Sequence, residues 1–192
     1  MPRPIVPLEV RFNEEKTTQA AALFLKLSGG RMNYMVLIKL LYLLDRRALL
    51  KWGRPVTGDD YYSMKLGPVL SEVLSLISEA PNPDKPGYWV AHISPPQSYE
   101  VELLEDPGDA QLSEAEESVI EAVFKKYGHF NPFRLADFLH KLLPEWEELK
   151  SGRSPITYAD ILKAGNKSPA EIAAVERDLS SLAEVQQMFA PH

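Results

Sequence analysis

The run from Tyr34 to Leu44, YMVLIKLLYLL, constrains the fold more than any other part of the chain. It is eleven residues long, apolar nearly all round, and interrupted only by Lys39. That is too short and too charged to span a bilayer. A helix apolar on every side must instead be the central, most buried element of a soluble fold. Asn33 can cap its start, and Gly53 followed by Pro55 supplies the stop, so the spacing predicts a helix continuing to Trp52. With 192 residues and 45% hydrophobic composition, the chain is long enough to surround such a helix with a sizeable core.

The surrounding elements follow from local signals. Pro2, Pro4 and Pro7 mark residues 1–12 as an extended arm. A helix is predicted from near Asn13 to Ser28, closed by Gly29-Gly30. Residues 54–67 read as irregular, and Gly67-Pro68 reads as a helix start with Val69, Val73, Leu76 and Ile77 as its apolar stripe. Pro81, Pro83 and Pro86 end it. Trp89, Ala91 and Ile93, then Tyr99, Val101 and Leu103, alternate as the two strands of a small hairpin that must lie against the helices. Ser113 with Glu116 forms a capping box opening a helix to Tyr127. Asn131-Pro132 opens another to Leu143, Pro144 starts a short amphipathic turn, and Thr157 opens one more short helix. Ser168-Pro169 begins a last helix, 169–189, with Ile172, Val175, Leu179, Leu182, Gln186 and Phe189 at a/d spacing. That stripe suits packing on the domain and leaves a homodimer open. The predicted architecture is mainly α: a single compact helical domain, 13–192, with one small β-hairpin packed on it.

Charge and composition narrow the chemistry. The formal charge is −6, yet residues 1–66 hold 11 Lys/Arg against 6 Asp/Glu, a net of +5. Residues 67–192 hold 10 against 21, a net of −11. Arg31, Lys39, Arg46, Arg47, Lys51 and Arg54 face only Asp45 within 31–54. Either the halves pair inside one fold, or a basic patch is offered to an acidic partner or a nucleotide. Direct DNA binding is not expected, because the recognition helix of any helix-turn-helix here would carry Glu145, Glu147 and Glu148. With no cysteine, no disulfide, thiolate nucleophile or cysteine-ligated zinc is open to the chain. No glycine-rich phosphate loop or nucleophile elbow occurs. Of four histidines, His140 shares a helix face with Asp137, the best local pair for a metal or a general base. An ordinary hydrogen-bonded pair is the commoner meaning of that spacing, so no metal and no cofactor is expected. MPRPIVPLEV lacks the apolar core of a signal peptide, which predicts a cytoplasmic protein without a membrane partner.

Lys39 to Val69 resembles the core of the Panacea domain, the SocA-like antitoxin family. The residues that carry the likeness are Leu41-Tyr42-Leu43-Leu44-Asp45, Gly53-Arg54-Pro55-Val56-Thr57-Gly58-Asp59, Tyr61-Tyr62 and Gly67-Pro68-Val69. A second, looser block holds Leu135-Ala136-Asp137-Phe138, His140, Trp146, Ile156 and Tyr158, so that the motif-bearing core spans about 35–160. The resemblance implies a non-enzymatic antitoxin of a type II toxin-antitoxin system, neutralising a co-encoded cognate toxin by direct contact. SocA is also described as a protease adaptor that delivers its toxin to ClpXP, and the resemblance leaves that second job open here. The implied toxin-binding residues are Arg54, Asp59, Tyr61, Tyr62, Lys65 and Trp146; Tyr and Arg are the types enriched in interface hot spots. Asp45, Gly53, Pro55, Gly58, Gly67, Pro68 and His140 are the implied structural motif, with Asp45 expected to pair with Arg54 or a loop amide. Strand alternation at Tyr61-Tyr62 would bury one ring and expose the other. Two other readings stay open: a phage- or prophage-associated adaptor or regulatory protein without a toxin, and an enzyme using Asp137 and His140.

Overall fold

A computed structural model of the chain describes residues 10–80, 82–84 and 86–188. The arm prolines Pro2, Pro4 and Pro7, Pro81, the Gln186 side chain and Phe189 lie outside that description. In chain order the elements are α1 (Glu14–Leu27), β1 (Arg31–Asn33), α2 (Tyr34–Trp52), β2 (Tyr61–Met64), β3 (Gly67–Leu70), α3 (Ser71–Ser78) and α4 (Tyr88–His92). They continue with β4 (Glu100–Glu102), α5 (Glu114–Tyr127), α6 (Pro132–Leu142), β5 (Ser154–Ile156), α7 (Tyr158–Ala164) and α8 (Pro169–Met188). The protein is mainly α with two small sheets.

The apolar run sits where its composition requires. Every residue of α2 from Val36 to Asp45 is buried, and α1, α3, α5, α6, α7, β1 and β3 all pack against this helix. The Asn33 side chain accepts from the Met35 N–H at 2.9 Å, and Gly53 ends the helix in the left-handed region at φ +70°, a conformation glycine adopts without a Cβ penalty. A Cβ at Gly53 would lie 3.2 Å from a Val175 methyl, so the bare Cα also seats α8. Val175 and Ile172 pack on the core and Leu179 is buried in it, while Leu182 is exposed. The stripe of α8 therefore serves intramolecular packing. Capping boxes at Ser113/Glu116 and Thr157/Asp160 open α5 and α7.

The strands depart from the sequence expectation. The segment Tyr88–His92 is helix α4, not a strand, and β4 pairs antiparallel with β1, in the register Arg31↔Glu102, Met32↔Val101 and Asn33↔Glu100. Only isolated bridges at Ile93↔Leu103 and Gln97↔Glu100 remain of the anticipated hairpin. A carboxylate oxygen of Glu14 accepts from the Trp89 N–H at 2.9 Å, capping α4 from the start of α1. Local alternation does not reveal that partner. The 54–67 stretch contains β2, which pairs with β3 and with β5 in the order β3-β2-β5. Pro68 lies in β3, an edge strand, where a missing N–H is tolerated, and α3 starts only at Ser71. Pro144 and Glu145 form the expected turn, closed by the Trp146 N–H on the Leu143 carbonyl at 3.1 Å, and Trp146 and Glu147 then bond back to Met64 and Ser63, which holds the chain along β2.

The charge asymmetry is resolved in part by internal pairing. Lys16–Glu116 at 2.8 Å, Lys26–Asp106 at 3.0 Å, Arg31–Glu102 at 3.5 Å and Arg46–Glu145 at 2.6 Å each join the basic half to the acidic half. Among the described residues Arg47, Lys51 and Arg54 make no ion pair, and Lys51 lies over the Trp52 ring at 5.1 Å.

Candidate functional site

The C-terminal half of α2 faces the 55–61 loop, and a chain of buried polar groups forms there. Asp45 is fully buried. One oxygen accepts from the Val56 and Thr57 N–H groups at 2.7 and 2.9 Å. The other accepts from the Thr57 hydroxyl and from the Tyr61 hydroxyl, the latter at 2.8 Å. Burial pushes the Asp45 carboxyl up, and the hydrogen bonds from Thr57, Tyr61 and Val56 oppose it. Arg54 is exposed and is not its partner; the loop amides are.

Asp59 is buried on the same loop, its N–H donating to the Thr57 hydroxyl at 3.1 Å, and closes a second set of bonds. Its carboxylate accepts from Asp60 N–H at 2.7 Å, Glu72 N–H at 2.9 Å and Val73 N–H at 3.0 Å. Two of those donors open α3, which has no side-chain cap of its own at Leu70. Burial pushes the Asp59 carboxyl up to about 7 against these bonds. Tyr61 stands edge-on to Tyr42 at 5.5 Å and tilted to Tyr158 at 5.7 Å. The Tyr42 hydroxyl donates to Glu145 at 2.9 Å, and Arg46 holds the same carboxylate. Desolvation first, then the nearby carboxylates, push both phenols up.

A contrasting group lies between α2, the β2–β3 turn and α6. Lys39 is buried, with no hydrogen-bond or ion-pair partner among the described residues, and burial lowers its ammonium to about 8. His140 stacks flat on Trp146, with ring centroids 3.7 Å apart and planes at 5°. The Trp146 indole N–H donates to the Met64 carbonyl at 3.0 Å, fixing the stack to β2. Desolvation and then the Lys39 charge lower the imidazole, with Asp137 and Glu148 opposing. His140 Nε2 is buried without a partner. Asp137 is exposed and makes no hydrogen bond to His140, so the anticipated helix-face pair does not form. Among the described residues no group of three or more potential ligands is placed to hold a metal ion.

The surface of the β3-β2-β5 sheet completes the region. Tyr62 is half-buried with the Arg153 guanidinium 4.4 Å above its ring, and Lys65 and Leu66 are exposed at the turn. Of the residues expected at a binding surface, Arg54, Tyr62, Lys65 and Trp146 reach solvent to differing degrees, while Asp59 and Tyr61 lie inside. Sequence reasoning did not single out Glu145, Arg153 or the role of Lys39. A lysine breaking an otherwise apolar helix was the available signal for the last.

Fold and site together describe a helical domain whose most motif-rich residues hold a loop and a hairpin against a central helix. A family model for the SocA-like antitoxins, Panacea domain, matches residues 37–147. The match covers more than half of the chain, from α2 through the Trp146 stack, and the chain belongs to this family. No curated protein and no solved structure matches it. No helix among the described residues is long and apolar enough to cross a membrane.

Proposed function

We propose that this chain is the antitoxin of a type II pair, acting in the cytoplasm by binding a co-encoded toxin directly. The observation that carries the reading is the family match over 37–147, which spans the whole polar core and the hairpin beside it. The polar groups of that core are engaged in holding α2, the 55–61 loop and α3 together. That suits a stoichiometric binder, which inhibits by covering a toxin's active site or substrate groove. The proposed contact surface is the outer face of β2 and its turn: Tyr62 under Arg153, with Lys65 and Leu66 beside them. Rigid aromatic rings and arginines supply most of the energy at such surfaces, and a stable pair buries roughly 1,600 Å² in total.

Co-expression with each flanking reading frame tests this. A neighbour that kills alone, is tolerated with this chain and co-purifies with it establishes the pair. Tyr62→Ala and Arg153→Ala then weaken the complex by about 2 kcal/mol each, roughly thirtyfold in Kd. Wild-type neutralisation by both folded variants removes this surface from consideration. Harmless neighbours that do not co-purify refute the toxin reading.

A further inference from the structure

The cations of the basic half divide into two groups. Lys16, Lys26, Arg31 and Arg46 each hold a carboxylate from later in the chain. Arg47, Lys51 and Arg54 hold none among the described residues, although α5, which packs on α2, carries Glu114, Glu117 and Glu121. These three stand on the last turns of α2 and just beyond its end; Lys51 and Arg54 are exposed and Arg47 is half-buried.

A cleft runs between those turns and α5. Arg47, Leu50 and Lys51 line one side of it and Ser118, Val119 and Ala122 the other, around a volume of about 440 Å³. Its walls are mostly apolar, its two charges are both positive, and no carboxylate lines it. A second cleft of about 340 Å³ lies further along the same seam, between Trp52 and Arg54 on one side and Ser113, Ala115 and Glu116 on the other. The Glu116 carboxylate is already held by Lys16 and by Ser113, so Arg54 is the uncompensated charge there. From Ala115 to Ala122 the seam follows α5 for about 10 Å at 1.5 Å per residue, the length of two helical turns.

We propose that the α2–α5 seam docks an acidic amphipathic helix of a partner protein, with carboxylates on Arg47 and Lys51 and an apolar side chain seated against Leu50, Val119 and Ala122. Charge complementarity selects the sign of the partner. Arg47 and Lys51 are four residues apart on α2, one turn, so carboxylates one turn apart on a facing helix match their spacing. A free phosphate or a nucleotide satisfies the cations and leaves the apolar walls open to water. A nucleic-acid backbone, charged along its whole length, also brings phosphates over Glu114, Glu117 and Glu121. An amphipathic helix covers the apolar walls and places its charges only where the cations stand. The seam shares no residue with the Tyr62 surface, and the inference neither needs the toxin reading nor falls with it.

The test selects a phage-displayed library of random peptides on the immobilised full chain, each of about sixteen residues, long enough to turn helical on binding. The enriched sequences are expected to carry Asp or Glu one turn apart beside Leu, Ile or Phe. Added as synthetic peptides, they shift the backbone amide resonances of Ser118, Val119 and Ala122. Their affinity falls at least about tenfold in Lys51→Glu and in Ala122→Glu, while Lys51→Arg keeps it. Both positions are exposed, so Tm holds in these variants. A selection that yields nothing, or yields neutral or basic peptides, overturns the proposal. So does unchanged affinity in both charge variants, which places the peptides elsewhere on the surface. Displacement by inorganic tripolyphosphate at the peptide's own concentration overturns it in favour of a phosphate site. A wild-type chain that sediments as a dimer, and as a monomer once Lys51→Glu is introduced, overturns it in favour of a second copy.

Discussion

Asp45 and Lys39 are buried ionisable residues on the same helix, and their surroundings are opposite. Asp45 accepts from four donors spread over Val56, Thr57 and Tyr61. Lys39 makes no hydrogen bond or ion pair among the described residues, and His140 Nε2, which packs on the same face of Gly67, is buried without a partner. A fully satisfied buried polar group rigidifies the fold around it, whereas an unsatisfied one costs stability. The Asp45 cluster is therefore a finished clamp between α2 and the loop that follows. Lys39 has no such set of bonds, and burial lowers its ammonium to about 8.

The contrast can be broken first at its strong end. Asp45→Ala strands buried donors from the loop and the Tyr61 hydroxyl, and is expected to cost about 3–5 kcal/mol, read by urea unfolding. A loss below 1 kcal/mol means the clamp does not hold the loop. Tyr61→Phe removes one donor to a carboxylate and should cost about 2 kcal/mol in the same assay. Lys39→Met points the other way. Replacing an unpaired buried cation with an apolar chain of similar shape is expected to stabilise the protein at pH 7 by about 1–2 kcal/mol. The sign of the pH dependence sharpens this. The folded chain binds the Lys39 proton more weakly than the unfolded chain, so unfolding takes up a proton between about pH 8 and 10.5. Wild-type stability measured relative to Lys39→Met should then rise across that window; a flat difference shows that Lys39 is solvated or paired in solution. The smallest effect is at the surface, where Tyr62→Ala should shift stability by no more than about 0.5 kcal/mol beyond the loss of its Arg153 contact.

What was legible in the sequence was local. The cap at Asn33, the left-handed Gly53, the Ser113/Glu116 box and the start at Ser168-Pro169 each involve residues within a few positions, and helices form where those signals place them. What was not legible depended on distant partners. α3 is opened by Asp59 and α4 by Glu14, thirteen and seventy-five positions away, and β2 finds β5 across α3 to α6. Strands of three or four residues carry too few alternations to declare themselves against a helix or a loop. The same limit applied to the site. Tyr61 and Tyr62 alternate as a strand should, but nothing local tells that Tyr61 spends its hydroxyl on Asp45 or that Tyr62 lies under Arg153. Lys39 was visible only as a blemish in an apolar run, because its neighbours His140 and Gly67 come from elements that the chain has yet to make.

The burial of α2 has a consequence for synthesis. This helix leaves the ribosome before α5, α6 and α7, which cover it and are the work of the following hundred or so residues. At ordinary elongation rates its apolar surface waits on the order of ten seconds for its cover. The ion pairs that neutralise the basic half wait equally long, since Glu102, Asp106, Glu116 and Glu145 all come later. Newly made chains thus present this apolar face before the helices that cover it exist.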